Sequence, residues 1–126
     1  MDLELSKPIE GKNAQIFEPK GRVDTITAPL LDTHLKECMK LGKNVILDMA
    51  GVNYISSAGL RVLLSNAKNQ EDKNQKFVIC SLQEDVAEVL KTAGFYDILT
   101  IKKDKEEAVR ACSSWFLESV FKSIHP

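Results

Sequence analysis

The 126-residue sequence predicts an α/β fold, with a mixed sheet of four to five strands, parallel at its core, packed against about four helices. Apolar runs of strand length, most clearly residues 45–47, alternate with segments whose apolar residues recur at helical spacing. The connections have the length of right-handed crossovers between parallel strands. A tight turn at residues 11–13 joins the first two strands, so that pair should be antiparallel and the sheet mixed.

The composition is that of one soluble domain covering residues 1–126. Hydrophobic residues make up 44% and charged residues 28% of the chain, which is long enough to bury a core without disulfides or metals. A formal net charge of −1 without a basic cluster argues against a nucleic-acid surface. No apolar run approaches the roughly 20 residues of a membrane span, and the acidic N-terminus is unlike a signal peptide. We therefore expect a cytoplasmic protein.

The first part of the chain contains two peripheral strands and a helix. Residues 2–10 alternate and predict an edge strand, and residues 14–23 predict a second strand interrupted by a proline. The first helix should have Thr27 as its N-cap, Pro29 in its first turn and Gly42 at its end. Its inward face should consist of Leu31, Leu35, Cys38 and Met39.

The middle of the chain predicts a buried strand at residues 45–47, a loop at residues 50–54 and a helix that begins within residues 55–59. One face of this helix is apolar and consists of Leu60, Leu63, Leu64 and Ala67. Gly59 in the first turn costs about 1 kcal/mol relative to alanine. We expect a close approach of another molecule at Ala58 and Gly59 to explain that cost.

The later elements alternate in the same way. The pattern predicts a polar surface loop at residues 69–76, a buried strand at 77–80, a helix at 84–93 ended by Gly94, and the last strand at 98–101. Three residues of this helix should face inward, namely Val86, Val89 and Leu90.

A final helix should be capped by Asp104, with Glu107 in capping-box spacing. Its inward face should carry Ala108, Cys112 and Trp115. Over residues 110–126 the helix becomes apolar around most of its circumference, through Phe116, Leu117, Val120, Phe121 and Ile124. Either the helix folds back over the sheet, or Phe116, Val120 and Phe121 form a partner or homodimer surface.

The cysteines and histidines argue against a disulfide, a metal or another cofactor. Cys38, Cys80 and Cys112 are odd in number, far apart and surrounded by apolar residues, so we interpret them as reduced core residues. His34 and His125 have no companion cysteine cluster and cannot form a closed zinc site.

Two consecutive hydroxyls, Ser56 and Ser57, lie where the central helix begins. A helix N-terminus carries unpaired N–H groups and about half a positive charge, so a serine there can be a cap, a nucleophile or a phosphate acceptor. A hydrolase nucleophile is disfavoured because the first glycine of Gly-x-Ser-x-Gly is missing and no histidine is placed to act as its base. Gly51 and Gly59 fit neither the Walker nor the dinucleotide-binding spacing of glycines. Capping by Ser56, without further function, remains an equal alternative.

Two segments resemble the single-domain STAS family of bacterial anti-sigma factor antagonists. Residues 48–64, which read Asp-Met-Ala-Gly-Val-Asn-Tyr-Ile-Ser-Ser-Ala-Gly-Leu-Arg-Val-Leu-Leu, resemble the family signature. Residues 21–29, which read Gly-Arg-Val-Asp-Thr-Ile-Thr-Ala-Pro, resemble its other recurring segment. The resemblance covers about residues 3–109 in the same element order and implies the STAS fold, with residues 110–126 as an extended C-terminal helix.

The resemblance implies a phosphorylation switch without catalysis by the domain itself. The unphosphorylated antagonist binds an anti-sigma factor, which is also a GHKL-type serine kinase, and so frees a sigma factor. Phosphorylation at the start of the second helix ends that binding, and a PP2C-type phosphatase reverses it. The family pattern places the acceptor at Ser57, while Ser56 occupies the pattern's aspartate position and stays open as a competitor. The implied partner-binding residues are Asp24, Thr25, Ser56, Ser57, Ala58, Gly59 and Arg61.

The resemblance implies a role for one charged residue, Asp24, and helix spacing implies a role for a second, Arg61. Asp24 should lie close to the acceptor, orient its hydroxyl and repel the phosphate. Arg61, four residues after Ser57, should partly neutralise the phosphate together with the helix N-terminus. The alternative is an accessory STAS subunit of a lipid-transport ABC system, which would dock on the transporter ATPase without a phosphate cycle.

Overall fold

The computed structural model describes residues 3–113. Within them, eight strands form two sheets, and four α-helices cover these sheets. The strands are β1 (Leu3–Glu4), β2 (Ile9–Glu10), β3 (Ala14–Phe17), β4 (Lys20–Val23), β5 (Asn44–Asp48), β6 (Gly51–Ile55), β7 (Phe77–Cys80) and β8 (Thr100–Lys102). The helices are α1 (Ala28–Met39), α2 (Ser57–Asp72), α3 (Glu84–Thr92) and α4 (105–113), with a 3-10 turn at Phe95–Asp97. The prediction of an α/β fold with a mixed sheet is confirmed.

The larger sheet has five strands in the order β2-β3-β5-β7-β8. As predicted, β2 is antiparallel to β3 and the core strands are parallel, with Ile46 of β5 aligned between Ile16 of β3 and Val78 of β7. Residues 45–48 of β5 are buried without interruption. Such a continuous run is explained by helical cover on both faces of the sheet.

A second sheet, with strand order β1-β4-β6, was not expected from the sequence. The loop predicted at residues 50–54 is wrong, because residues 51–55 form β6, parallel to β4. Only two residues of β6 are buried, so its apolar pattern is weak and its strand conformation depends on pairing with a distant segment. The single strand predicted at residues 14–23 divides at Pro19, with β3 and β4 in different sheets. The edge strand predicted at residues 2–10 likewise becomes β1 and β2, one in each sheet.

The main core lies on the face of the large sheet that α1, α2 and α3 cover. Alternate residues of the parallel strands point into it, among them Phe17, Val45, Leu47, Phe77 and Ile79. The residues between them point to the opposite face, where Ile16, Ile46, Val78 and Cys80 pack with Ala108 and Cys112 of α4. The period-two alternation of a strand thus places one set of side chains in each of two cores.

Helix α2 is longer than predicted, because residues 69–72 continue it. The sequence there is polar, but Gln70 is fully buried and its amide donates to the carbonyls of Lys43 and Lys76. Two further expectations fail at exposed positions: Val89 of α3 is 40% exposed rather than inward, and Ile98 is 65% exposed and precedes the last strand.

Helix α4 begins as predicted, with the Asp104 carboxylate accepting the Glu107 N–H at 2.8 Å. Lys105 joins it to the large sheet, since its ammonium lies 2.7 Å from Glu18 and 3.8 Å from Asp48. Ala108 and Cys112 are buried as predicted. Trp115 and the apolar residues proposed as a partner surface lie outside the described residues.

Cys80 and Cys112 are buried, as predicted for core residues, whereas Cys38 is only half-buried, and all three thiols are unpaired in the structure. Burial raises the pKa of the Cys80 thiol to about 11. Over residues 3–113, no helix combines the length and the apolar character that crossing a membrane requires.

Candidate functional site

The pairing of β4 with β6 brings the two segments of the predicted site together. Val23 is aligned with Ile55, and the Ser56 N–H extends the ladder by donating to the Val23 carbonyl at 2.8 Å. Residues 24–27 follow β4, and Ser56 begins the turn into α2. The predicted site residues therefore come from two adjacent segments at one end of the small sheet.

Ser56 is the N-cap of α2. Its backbone is extended, and its hydroxyl oxygen accepts the Gly59 N–H at 3.4 Å, a long hydrogen bond. The side chain is half-buried. The capping function expected of Ser56 is thus present in the structure.

Ser57 differs from its neighbour, since it is exposed as the first residue of α2. Among residues 3–113, its hydroxyl has no hydrogen-bond partner. His34 is committed elsewhere, because its Nε2 lies 3.1 Å from the Ser6 carbonyl and its ring contacts Phe17 edge-on. The geometry therefore offers an accessible hydroxyl, with no hydrogen-bonded base to activate it within the described chain.

The reason for glycine at position 59 lies inside the domain, contrary to the expectation of another molecule. Gly59 is buried, and a Cβ placed there would be 2.6 Å from Ile55 Cγ1 and 2.8 Å from Val23 Cγ1. Contacts this short force a rearrangement. Gly59 lets the first turn of α2 lie directly against β4 and β6, which holds Ser57 at a fixed place on the surface.

Asp24 closes the turn that precedes α1. One carboxylate oxygen accepts the N–H groups of Ile26 and Thr27, both at 3.0 Å, and the other lies 3.7 Å from Arg22 Nε. The hydrogen bond from the Thr27 N–H lowers the pKa of the Asp24 carboxyl more than any other contact does. Burial acts in the opposite direction but is weaker, so the pKa lies below its ordinary value. Asp24 is therefore ionised at neutral pH and shapes its own loop.

This arrangement corrects two expectations. Thr27 is the N-cap residue of α1 as predicted, but its hydroxyl makes no capping hydrogen bond, because it accepts the Asp24 N–H at 2.9 Å and donates to the Arg22 carbonyl at 2.7 Å. Within the described chain, Asp24 bonds to neither serine hydroxyl, so it does not orient Ser57. Its position in the adjoining loop still places a negative charge at this end of the sheet.

Two exposed apolar side chains beside these loops were not predicted from the sequence. Ile26 is 78% exposed although its N–H is fixed by Asp24. Tyr54 is 41% exposed, and the Arg22 guanidinium lies over its ring, 4.2 Å from the centroid. The sequence does contain a signal for the exposure of Ile26, because it is an isoleucine between two threonines in a predicted loop.

Of the other predicted residues, Thr25 is exposed on the loop, and Ala58 and Arg61 line a shallow groove between α1 and α2. Residues 3–113 contain no group of three His, Cys, Asp or Glu side chains arranged to hold a metal ion. The site therefore consists of an ordered surface with an exposed hydroxyl, a carboxylate and a guanidinium.

Comparison with known proteins gives a consistent result. The model of the STAS domain matches residues 7–108. A protein of Bordetella bronchiseptica named as an anti-sigma factor antagonist, BtrV, is 36% identical over 93 residues, which are 73% of this chain and 80% of that protein.

Solved structures share the fold at lower identity. An anti-sigma factor antagonist from Mycobacterium paratuberculosis superposes with a TM-score of 0.80 at 14% identity, covering 88% of this chain and 94% of that one. The phosphorylated form of the Bacillus cell fate determinant SpoIIAA gives a TM-score of 0.63 at 13% identity, covering 86% of this chain and 97% of that one.

Proposed function

The chain belongs to the STAS domain family, and from that premise we propose that it is a phosphorylation-controlled anti-sigma factor antagonist. Unphosphorylated, it binds an anti-sigma factor in the cytoplasm, and the sigma factor is released. The similarity to BtrV supports the antagonist class. The anti-sigma factor is a GHKL-type serine kinase that phosphorylates Ser57, and a PP2C-type phosphatase removes the phosphate. The domain supplies a surface and an acceptor and has no catalytic activity of its own.

The observation that carries this proposal is the contrast between the two serines. Ser56 is half-buried and bonded to the Gly59 N–H, so its oxygen is occupied in the fold. Ser57 is exposed and, within the described chain, its hydroxyl is unbonded, so a kinase can reach it without opening the helix. The contrast favours Ser57 over Ser56 as the acceptor.

The surroundings of Ser57 support a switch that changes binding while the domain stays folded. A phosphate adds about −1.5 to −2 charge at pH 7. The N–H groups and dipole of α2 favour an anion there, and Arg61 is one turn away, so the folded domain tolerates the charge. At an interface, the same charge adds to that of ionised Asp24 and displaces close packing. A loss of about 3 kcal/mol lowers affinity by roughly two decades.

The test is phosphorylation by purified GHKL-type serine kinases of the source organism with Mg-ATP, followed by intact mass and peptide mapping. We expect a single phosphate on Ser57, no phosphate on Ser57→Ala, and normal phosphorylation of Ser56→Ala. Ser56→Ala is the matched control because it removes the adjacent hydroxyl while leaving the exposed one. Phosphate on Ser56, or incorporation that persists in Ser57→Ala, would contradict the assignment.

Binding distinguishes this function from the accessory subunit of a lipid-transport ABC system. An antagonist should bind the purified kinase, and stoichiometric phosphorylation should abolish that complex. An accessory subunit should bind a transporter ATPase, with the same affinity whether or not Ser57 carries phosphate.

A further inference from the structure

A groove separates the N-terminal halves of α1 and α2 beside Ser57. Its volume is about 290 Å³. This is just below the range of roughly 300–1,000 Å³ for small-molecule pockets, so the groove suits one large side chain better than a cofactor. Its apolar part is formed by Ala28, Pro29, Ala58 and Val62. Its polar rim is formed by Asp32, Arg61 and Ser65.

The rim carries one compensated and one uncompensated charge. Asp32 is paired with Lys36 and accepts the Asn66 amide at 2.8 Å, so its charge is satisfied within the fold. Arg61 is exposed and, within residues 3–113, forms no ion pair. The charge that remains available at the groove is therefore positive, which is complementary to an acidic partner group.

We propose that this groove receives an apolar side chain of the anti-sigma factor/serine kinase, and that Arg61 binds a carboxylate next to that side chain. The inference rests on the proposed function and adds to it a specific docking element. A kinase that brings its active site to Ser57 must cover the adjoining surface, and Ala58, the next residue, already lines the groove. The groove is thus continuous with the surface that the kinase has to contact.

The same geometry explains how a phosphate on Ser57 weakens docking. Arg61 is four residues after Ser57 on α2, and side chains at this spacing lie on the same face of a helix. A phosphoserine attracts the guanidinium more strongly than a single carboxylate does, because it carries more charge and more acceptor oxygens. Phosphorylation therefore draws Arg61 away from the partner carboxylate, in addition to any direct repulsion.

The first test fills the groove. Ser65→Trp places a large side chain at its rim, and Lys68→Trp adds the same side chain to an exposed position of α2 that does not line the groove. Affinity is measured by calorimetry for the purified kinase that phosphorylates Ser57, using the full chain. We expect Ser65→Trp to lower affinity at least tenfold, and Lys68→Trp to change it less than twofold.

Ser65→Trp also removes the Lys36 ammonium contact with the Ser65 hydroxyl, so thermal unfolding must verify its fold. If it does not fold, Ser65→Leu provides a smaller obstruction with the same expected direction. Wild-type affinity in the folded obstructing variant would overturn the groove proposal. Phosphorylation of Ser57 in the wild type is measured separately. If the obstructing variant binds normally, the groove proposal fails but the proposed function stands. If the wild type is not phosphorylated, the proposed function is refuted.

The second test is a double-mutant cycle between positions 57 and 61 with the same kinase. We expect Arg61→Ala to lower affinity roughly tenfold and Ser57→Glu roughly a hundredfold. In the Arg61→Ala background, Ser57→Glu should lower it only about tenfold further, because the contact that it disrupts is already absent. Effects that multiply fully would contradict the role assigned to Arg61.

Discussion

The N-termini of α1 and α2 lie side by side and are completed differently. Before α1, the Asp24 carboxylate accepts two backbone N–H groups, so a negative charge already occupies the turn. At α2, the cap is the neutral Ser56 hydroxyl, and its bond to Gly59 is long at 3.4 Å. Within the described chain, the start of α1 has no side-chain cap but lies beside this carboxylate, which makes a further anion less favourable there. The start of α2, capped by a neutral hydroxyl, retains its preference for negative charge. This difference supports the proposal that the start of α2, rather than the start of α1, carries the phosphate acceptor.

The largest expected effect comes from adding charge at the start of α2. Ser57→Glu should lower affinity for the cognate kinase roughly a hundredfold, about 3 kcal/mol, while the domain remains folded. Calorimetric titration measures the affinity, and Thr33→Glu on the exposed surface of α1 is the control for an added charge elsewhere. Equal affinities for the wild type and Ser57→Glu would remove the functional difference between the two helix starts.

Gly59→Ala tests whether α2 must lie against β4 and β6. Alanine improves helix propensity by up to about 1 kcal/mol, but the added methyl meets Ile55 and Val23 at less than 3 Å. Overpacking costs about 1–3 kcal/mol, so once the propensity gain is subtracted we expect the free energy of unfolding, measured in urea, to fall by up to about 2 kcal/mol.

Val23→Ala is the matched partner for that measurement. Combined with Gly59→Ala, it removes one of the two close contacts, so the double variant should lose less stability than the sum of the single variants. Strictly additive losses would show that the contact with Val23 does not cause the loss of stability in Gly59→Ala.

Ser56→Ala tests the cap of α2. It removes the acceptor for the Gly59 N–H, and we expect the free energy of unfolding to fall by about 0.5–1 kcal/mol, at the low end for caps because the bond is long. Chemical denaturation measures the loss, with Ser57→Ala as the control that removes an unbonded hydroxyl. A larger loss for Ser57→Ala would reverse the roles assigned to the two serines.

The smallest effect is the pH dependence that Asp24 contributes. Its folded-state pKa is lowered, so its stabilising contribution is complete above its unfolded pKa of about 4 and is lost as pH falls through the folded value. The difference in unfolding free energy between the wild type and Asp24→Asn should therefore be constant near neutrality and decrease in acid. A difference that grows as pH falls would contradict the shift.

The fold was largely predictable because its central elements have strong local patterns. Strands β5 and β7 are continuous apolar runs, and both are where the sequence places them. Strand β6 was missed because Gly51, Asn53 and Tyr54 are exposed, so its strand conformation is determined by pairing with β4 rather than by apolar periodicity. The continuation of α2 through residues 69–72 was missed for the same reason, since the Gln70 amide finds its acceptors only in the folded chain.

The candidate site was predictable in its residues but less so in their roles. The position of Ser57 followed from the start of a helix and from the family resemblance. That Asp24 bonds within its own loop depends on φ and ψ values that sequence spacing does not give. The groove was not predictable, because it exists only where α1 and α2, separated by β5 and β6, come together.

The hydrogen bond from the Ser56 N–H to the Val23 carbonyl extends the β4–β6 ladder to the point where the two halves of this surface begin. That proton can exchange with solvent deuterium only when the end of β6 separates from β4. Its exchange rate, measured by NMR in the unmodified protein, therefore reports how often the two loops separate. Comparing the rates before and after phosphorylation would tell whether the phosphate weakens the pairing of β4 with β6 or changes only the surface that a partner contacts.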